Sequence, residues 1–366
     1  MEYKVSDVVS VIESVAPLSY QESYDNSGLI IGQYNNNVSG VLICLDVTEE
    51  VVEEAIRLGV NMIVSHHPVV FSGLKRFNNS NYTERIVIRA IKHDINIYAA
   101  HTNLDSVEGG INSVLADIIG LRNQQVLQQV NNDLYKLVVF VPEGHLEDVS
   151  SNIFEAGAGN IGNYDCCGFS VDGYGTFRGN EDSNPFVGNV GKLHKEKEMR
   201  FETIFPKHKK SSVVKAMLKA HPYEEVAYDI YNLNKENSNV GLGVVGDLKE
   251  PVSEVEFLKD LKNKLGLEVI KHTKLFDKPI ERVALCGGSG SFLLNNAIRS
   301  KADVFISGDF KYHQFFDAEE SIIIADIGHY ESEKHAKNIF YELLTKKMTK
   351  FATYLSEVNT NPINYI

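Results

Sequence analysis

Three short apolar runs in the first third of the chain are each followed by a polar break: Val41 to Asp46 (VLICLD), Val60 to Ser65 (VNMIVS) and Ile95 to Ala100 (INIYAA). Runs of this length, rich in β-branched residues and bounded by turn signals, read as buried strands. Between the first two, Thr48 is placed to cap a helix whose first turn holds Glu49 and Glu50, the favourable sign at a helix N-terminus, and Gly59 ends it. A further helix is expected over about Glu84 to His93. Alternation of this kind leaves few options beyond an α/β fold around a mainly parallel sheet.

The last third repeats the rhythm. Arg282 to Cys286 (RVALC) is a strand entering the turn Gly287-Gly288-Ser289-Gly290, with a helix following to about Ser300. Asp303 to Ser307 and Ser321 to Ile327 are further strands, an amphipathic helix starts near Glu331, and Phe351 to Ser356 closes the series. The two thirds read as halves of one α/β core domain, residues 1–129 and 246–366. The middle, residues 130–245, follows a different order: strand Tyr135 to Pro142, helix His145 to Ala156, a glycine-rich hairpin Tyr164 to Phe177 turning at Gly173 and Gly175, strand Met199 to Pro206, helix His208 to Ala220, strand Val226 to Leu233. That is close to βαββαβ, the pattern of an inserted ferredoxin-like α+β domain. Asn180 to Glu198 is polar and expected to be a mobile loop.

With 43% hydrophobic and 23% charged residues the chain has ordinary globular material for a sizeable core. A net charge of −13 argues against nucleic acid as a partner, since phosphate contacts need a basic surface. No run approaches the roughly 18 apolar residues of a membrane span. Glu2, Asp7 and Glu13 interrupt the N-terminal stretch, so no signal peptide is expected. Cys44, Cys166, Cys167 and Cys286 form no CxxC pair and read as reduced thiols, which points to the cytoplasm.

Chemistry concentrates where strands end. Ser65-His66-His67-Pro68 follows one strand, and open α/β sheets place ligand sites at that edge. Adjacent histidines on extended backbone diverge, which suits two neighbouring ions better than one. By itself such a pair is more often structural. Asp105, in AHTNLD after the next strand, is a hard anionic donor, or on its own a helix N-cap. His329 and Glu333 are four apart and share a face if a helix begins near His329. A solvated first turn accounts for Glu331 and Glu333 but not for His329. Together His66, His67, Asp105, His329 and Glu333 supply three imidazoles and two carboxylates, all expected at the carboxyl ends of strands in one sheet. Two divalent ions about 3.5–4 Å apart fit such a set, with a carboxylate between them. His101 is expected to orient a ligand or handle a proton, with simple packing as the alternative. Asp309 and His313 follow a strand and either line the same cleft or cap a helix. Gly287 to Gly290 either cradles a phosphate or is a tight turn. Tyr223 and Glu224 read as a turn.

The same segments carry a resemblance. DNSGLIIG from Asp25, SHHPVVF from Ser65, AHTNLD from Ala100, CGGSG from Cys286, SGDFKYH from Ser307 and ADIGHYESE from Ala325 resemble the motifs of the GTP cyclohydrolase I type 2 homologue family, the Ngg-interacting-factor-three-like proteins. Ser27 stands where that family often has valine. The resemblance implies His66, His67, Asp105, His329 and Glu333 as metal ligands, with Glu333 bridging. It implies a PII- or CutA-like insert that includes His221-Pro222-Tyr223-Glu224-Glu225, and a ring-shaped homohexamer.

Two functions are open at this point. One is metal-assisted hydrolysis of a small molecule, a nucleotide such as GTP or another phosphate-bearing compound, with zinc, iron or manganese all compatible with imidazole and carboxylate donors. The other is a non-enzymatic metal-binding regulator whose insert senses a small molecule or docks a partner.

Overall fold

Thr48 caps its helix: its hydroxyl oxygen accepts from Val51 N at 3.3 Å, and helix Glu49–Leu58 stops at Gly59 with φ 69°. A left-handed residue at that position is what a glycine tolerates without a Cβ penalty. The helix buries Val51, Val52 and Ala55 in one core with Leu42, Ile63 and Ile97. Those three come from strands Val41–Cys44, Met62–Ser65 and Asn96–Ala99, which run parallel and are buried along their whole length. Each aliphatic side chain sealed in this way contributes about 1.5–3 kcal/mol, so the strand ends are held firmly enough to aim the loop residues beyond them.

The computed structural model describes residues 2–131, 133–234 and 236–366. It divides into two compact units, Met1–Gln129 with Asn239–Ile366, and Val130–Ser238. The first unit holds a five-stranded sheet in which Thr353–Leu355 lies parallel beside Val41–Cys44 and Gly28–Ile31 lies antiparallel beside Asn96–Ala99. It also holds a six-stranded sheet. There Pro279–Leu285, Val304–Ser307 and Ile323–Asp326 run parallel, Lys271–His272 pairs antiparallel at one side, and Glu236–Ser253 pairs antiparallel at the other with Arg122–Asn131 beyond it. A small sheet pairs Tyr3–Lys4 with Asn37–Val38.

The expectation of one sheet is therefore corrected. There are two sheets, and they exchange edge strands: Arg122–Asn131 from the first half closes the second sheet, and the last strand of the chain, Thr353–Leu355, joins the first. Apolar periodicity reports that a segment is a buried strand; it does not report which strand lies beside it.

In the second unit, Leu134–Pro142, helix Leu146–Glu155, Gly168–Phe177, His194–Pro206, helix Lys210–Ala220 and Tyr228–Leu233 follow in order. The four strands form one antiparallel sheet in the order Tyr228–Leu233, Leu134–Pro142, His194–Pro206, Gly168–Phe177. Alternate residues Leu137, Val139 and Val141 meet Val149, Ile153, Val213 and Met217 of the two helices in a single core. The hairpin expected over Tyr164 to Phe177 is instead one strand, with Gly173 and Gly175 inside it, paired to Glu198 and Glu196. Gly175 is there for space: a Cβ would sit 2.1 Å from Glu198 Oε2. The polar loop is also shorter than expected, because His194 to Glu198 belong to the neighbouring strand.

Among the described residues no helix is long and apolar enough to cross a membrane.

Candidate metal centre

Loops from both sheets of the first unit converge. Met62–Ser65 releases His66 and His67; Asn96–Ala99 releases His101 and then the short helix Thr102–Asp105; Ile323–Asp326 leads through Gly328, at φ 89°, into helix His329–Glu333. The centre thus lies where the two sheets of the first unit meet, not along the edge of one.

Each imidazole is fixed by its Nδ1. His66 donates to Ala100 O at 3.0 Å, His67 to Asp46 Oδ1 at 2.7 Å, His101 to Asp25 Oδ1 at 2.7 Å and His329 to Asp309 Oδ2 at 2.7 Å. An Nδ1–H committed in this way leaves the Nε2 lone pair for a cation and raises its basicity. The Nε2 atoms of His67 and His329 lie 3.3 Å apart, and each is 3.0 Å from Glu333 Oε2. The other oxygen, Glu333 Oε1, is 3.8 Å from His66 Nε2, which in turn is 3.8 Å from Asp105 Oδ1. One carboxylate therefore turns its two oxygens to two different donor groups.

Two of these atoms, both buried, have no hydrogen-bond partner among the described residues: His66 Nε2 and Asp105 Oδ1. A gap of 3.8 Å is too long for a hydrogen bond. It is shorter than two zinc–ligand distances of about 2.0–2.2 Å, so one ion can touch both. His66 with Asp105 and Glu333, His67 with His329 and Glu333, and His66 with His67 and His101 each bring donor atoms within 4.8 Å of one another. These groups could hold a metal ion, and orphaned buried donors are the fit that such an ion would satisfy.

The electrostatics say the same. Burial pushes Asp105 upward, the Glu333 charge adds to it, and the carboxyl reaches about 8. Glu333 goes the other way: burial opposes its charge, yet His329 and His67, each 3.0 Å from Oε2, and the field of the nearby His66 hold it well below the usual carboxylate range. Burial likewise opposes a charge on His67 and His329, and the carboxylates win, raising them to about 10 and about 9. Two buried acids forced apart in this manner mark a site short of positive charge.

One glycine of the glycine-rich turn, Gly288, owes its place to Glu333. A Cβ on Gly288, whose φ is +60°, would sit 2.2 Å from Glu333 Oε1. Three of the turn's N–H groups are already spent, Gly287 on Asn112 Oδ1, Gly288 on Ser332 Oγ and Gly290 on Ser307 Oγ. They are not available to cradle a phosphate, and the turn serves close approach instead.

The profile of the family described as Duf34/NIF3 (NGG1p interacting factor 3) matches residues 3–362. The chain belongs to the Duf34/NIF3 family. It is 41% identical over 365 residues to a protein of Halalkalibacterium halodurans named GTP cyclohydrolase 1 type 2 homolog, with 98% of each chain covered. A Bacillus subtilis protein of the same name is 38% identical over 369 residues, again with 98% of each covered. The crystal structure of a Bacillus cereus protein related to NIF3 superimposes with a TM-score of 0.89 at 39% identity, covering 100% of this chain and 99% of that one.

In this Duf34/NIF3 chain the structure brings together His66, His67, His101, Asp105, His329 and Glu333. Asp309 joins them through His329. His313 does not: it is exposed on the turn Tyr312–Ala318, its ring against Tyr312 and Phe316. Sequence reading missed the orienting roles of Asp25 and Asp46. Asp46 closes a strand just as Asp105 follows one, and Asp25 opens the DNSGLIIG motif, so both left a signal; their histidine partners are 21 and 76 residues away for Asp46 and Asp25 respectively. The cleft over the centre encloses about 500 Å³ and is walled by Tyr24, Phe71, Phe292, Tyr330 and Ile363, with no lysine or arginine among its lining residues.

Proposed function

We propose that the protein holds two divalent metal ions, one on His66, Asp105 and Glu333 and one on His67, His329 and Glu333, and that it hydrolyses a nucleotide or related phosphate-bearing small molecule. One observation carries the two-ion reading: Glu333 directs Oε1 to one donor group and Oε2 to the other. Zinc or iron suits this mixture of imidazole and carboxylate best, with manganese also compatible. Such ions supply Lewis acidity and an acidified water.

The residues around them do the rest. Asp46, Asp25 and Asp309 keep the imidazoles aimed. His101, a member of the cluster with its Nδ1 tied to Asp25, is the residue we assign to moving a proton. Tyr24, Phe71 and Phe292 offer flat apolar surfaces suited to a nucleobase. Since no lysine or arginine lines the cleft among the described residues, an anionic substrate would find its positive charge at the ions. The name borne by the relatives, GTP cyclohydrolase 1 type 2 homolog, makes GTP the first substrate to test.

The test is a metal-loaded preparation assayed for both formate release, which reports ring opening, and phosphate release, which reports ester cleavage, before and after chelation. Turnover that survives chelation or Glu333→Ala sinks the mechanism. A fully loaded protein inert towards a broad nucleotide and phosphoester panel favours the regulatory reading. We further propose that Val130–Ser238, whose strand order is that of a ferredoxin-like sheet, is an inserted module. The assembly is proposed to be a hexamer, to be checked by light scattering, and the four free thiols support a cytoplasmic setting.

A further inference from the structure

The second unit contains a cavity of its own, about 820 Å³, within the size range of small-molecule sites. Its walls come from the end of strand Gly168–Phe177, the segment after it, the turn before Tyr228–Leu233, and Phe140 and Glu198 of the two strands between. Three of the rings that line it are set at angles to one another. Tyr223 has Phe177 and Phe186 each 6.1 Å away, tilted by 59° and 48°. Each also meets a histidine ring at an angle, Phe177 with His194, Phe186 with His145 and Tyr223 with His221, and all three line the cavity where a guest can touch them.

The charge on these walls is mostly negative. Asp182, Glu198, Glu224 and Glu225 line the cavity, against Arg178 as the one basic residue. Glu198 is the informative member. It is 8% exposed, and among the described residues its carboxylate has one donor, Tyr223 OH on Oε1 at 3.1 Å. Its second oxygen lies over Gly175, where a Cβ would be 2.1 Å from it, and Gly175 also lines the cavity. The second oxygen thus has no hydrogen-bond partner among the described residues and faces the cavity, where a cation or a donor can complete it. Glycine at 175 makes the room that the carboxylate occupies. Glu224 acts on the backbone instead, where its Oε1 accepts from Asn184 N at 2.8 Å and ties down the segment that carries Phe186.

We infer that this cavity is a binding site for a small organic ammonium ion, with the rings of Phe177, Phe186 and Tyr223 around its alkyl groups and Glu198 countering its charge. Aromatic faces attract cations through the ring quadrupole, most strongly where water is excluded, and a carboxylate alongside adds the counter-charge that a neutral guest cannot use. The site is independent of the metal centre, whose donors all belong to the other unit.

The experiment uses the full-length protein and isothermal titration with choline, tetramethylammonium and spermidine. The neutral isostere of choline, 3,3-dimethyl-1-butanol, and the anions acetate and inorganic phosphate serve as controls. At least one ammonium compound should bind, with the neutral isostere at least tenfold weaker. Glu198→Gln should weaken the ammonium at least tenfold. Phe186→Ala, a change at a half-exposed position outside the helices and strands, should weaken it severalfold even if Glu198→Gln folds poorly. Metal content should stay the same in both variants. Absence of ammonium binding overturns the inference, as does equal affinity for the isostere. Binding of the anions in preference, through Arg178, overturns it too, and so does full affinity in a folded Glu198→Gln protein.

Discussion

If the centre holds metal as proposed, Gly288→Ala should cost it metal affinity while barely disturbing the fold. An alanine Cβ would stand 2.2 Å from Glu333 Oε1, and contacts under 3.0 Å are essentially never seen, so the oxygen must retreat by at least about 0.8 Å. Metal sites tolerate about 0.2 Å in ligand distance. The far end of a glutamate side chain moves easily, which is why the fold gives way at little cost. The aim of its two oxygens does not survive the movement. Changes to groups that merely orient a ligand lose about 10- to 100-fold in metal affinity, or about 1.4–2.7 kcal/mol; displacing the shared carboxylate should reach at least the upper figure. The left-handed φ of +60° adds about 1–2 kcal/mol of strain to the folded state. Gly59→Ala isolates that strain, since φ there is +69° and nothing lies within 4 Å of the added methyl. The assay is elemental analysis after dialysis against a buffered metal series, paired with urea unfolding in chelator. Both variants should lose similar stability without metal, and only Gly288→Ala should lose metal affinity. Equal metal affinity in Gly288→Ala and Gly59→Ala would refute the reasoning that Glu333 is held in place by the missing side chain.

Glu333→Ala should remove more metal than His101→Ala, because one residue faces two donor groups and the other one; equal losses in elemental analysis would make His101 an equivalent ligand. Asp46→Asn should weaken metal binding about 10-fold or more by loosening His67, readable by competition with a chromogenic chelator. His67, His329 and Asp105, raised to about 10, about 9 and about 8, carry protons at pH 7 before loading, so metal binding should release protons and tighten as pH rises; titration in buffers of different ionisation enthalpy counts them. The sign for the metal-free fold comes from the two histidines: their contribution is complete below about 6.5 and lost as pH climbs through 9 to 10, so chelated protein should unfold at lower urea at pH 10 than at pH 7. Replacing Val130–Ser238 by a short flexible linker should leave a folded, metal-binding core; joint loss of metal and of cooperative unfolding would show the segment to be integral.

How much of this structure was legible in the sequence depends on range. Thr48, Gly59 and the apolar runs act within a few residues, and their strands and helix appear where the pattern put them. His329 and Glu333 were linked by a spacing of four, a local property, and a helix does begin at His329. The pairing of Thr353–Leu355 with Val41–Cys44, and the division into two sheets, rest on contacts hundreds of residues apart that no local period encodes. Gly288 illustrates a subtler limit. A glycine-rich turn before a helix suggested phosphate binding, because the sequence shows the missing side chain but not which atom fills its place. Gly173 and Gly175 misled in the same way, reading as a turn when one of them makes room for Glu198.

His67 and Glu333 meet across 266 positions of sequence. On a ribosome adding about 5–20 residues per second, the histidine pair emerges well before its carboxylate exists, by some tens of seconds. Through that interval a nascent chain can offer an ion only His66, His67, His101 and Asp105, and neither of the two groups that share Glu333 is whole. On the two-ion reading proposed above, loading of the Glu333-bridged pair would wait until almost the entire polypeptide has been made, and truncated products would lack that pair.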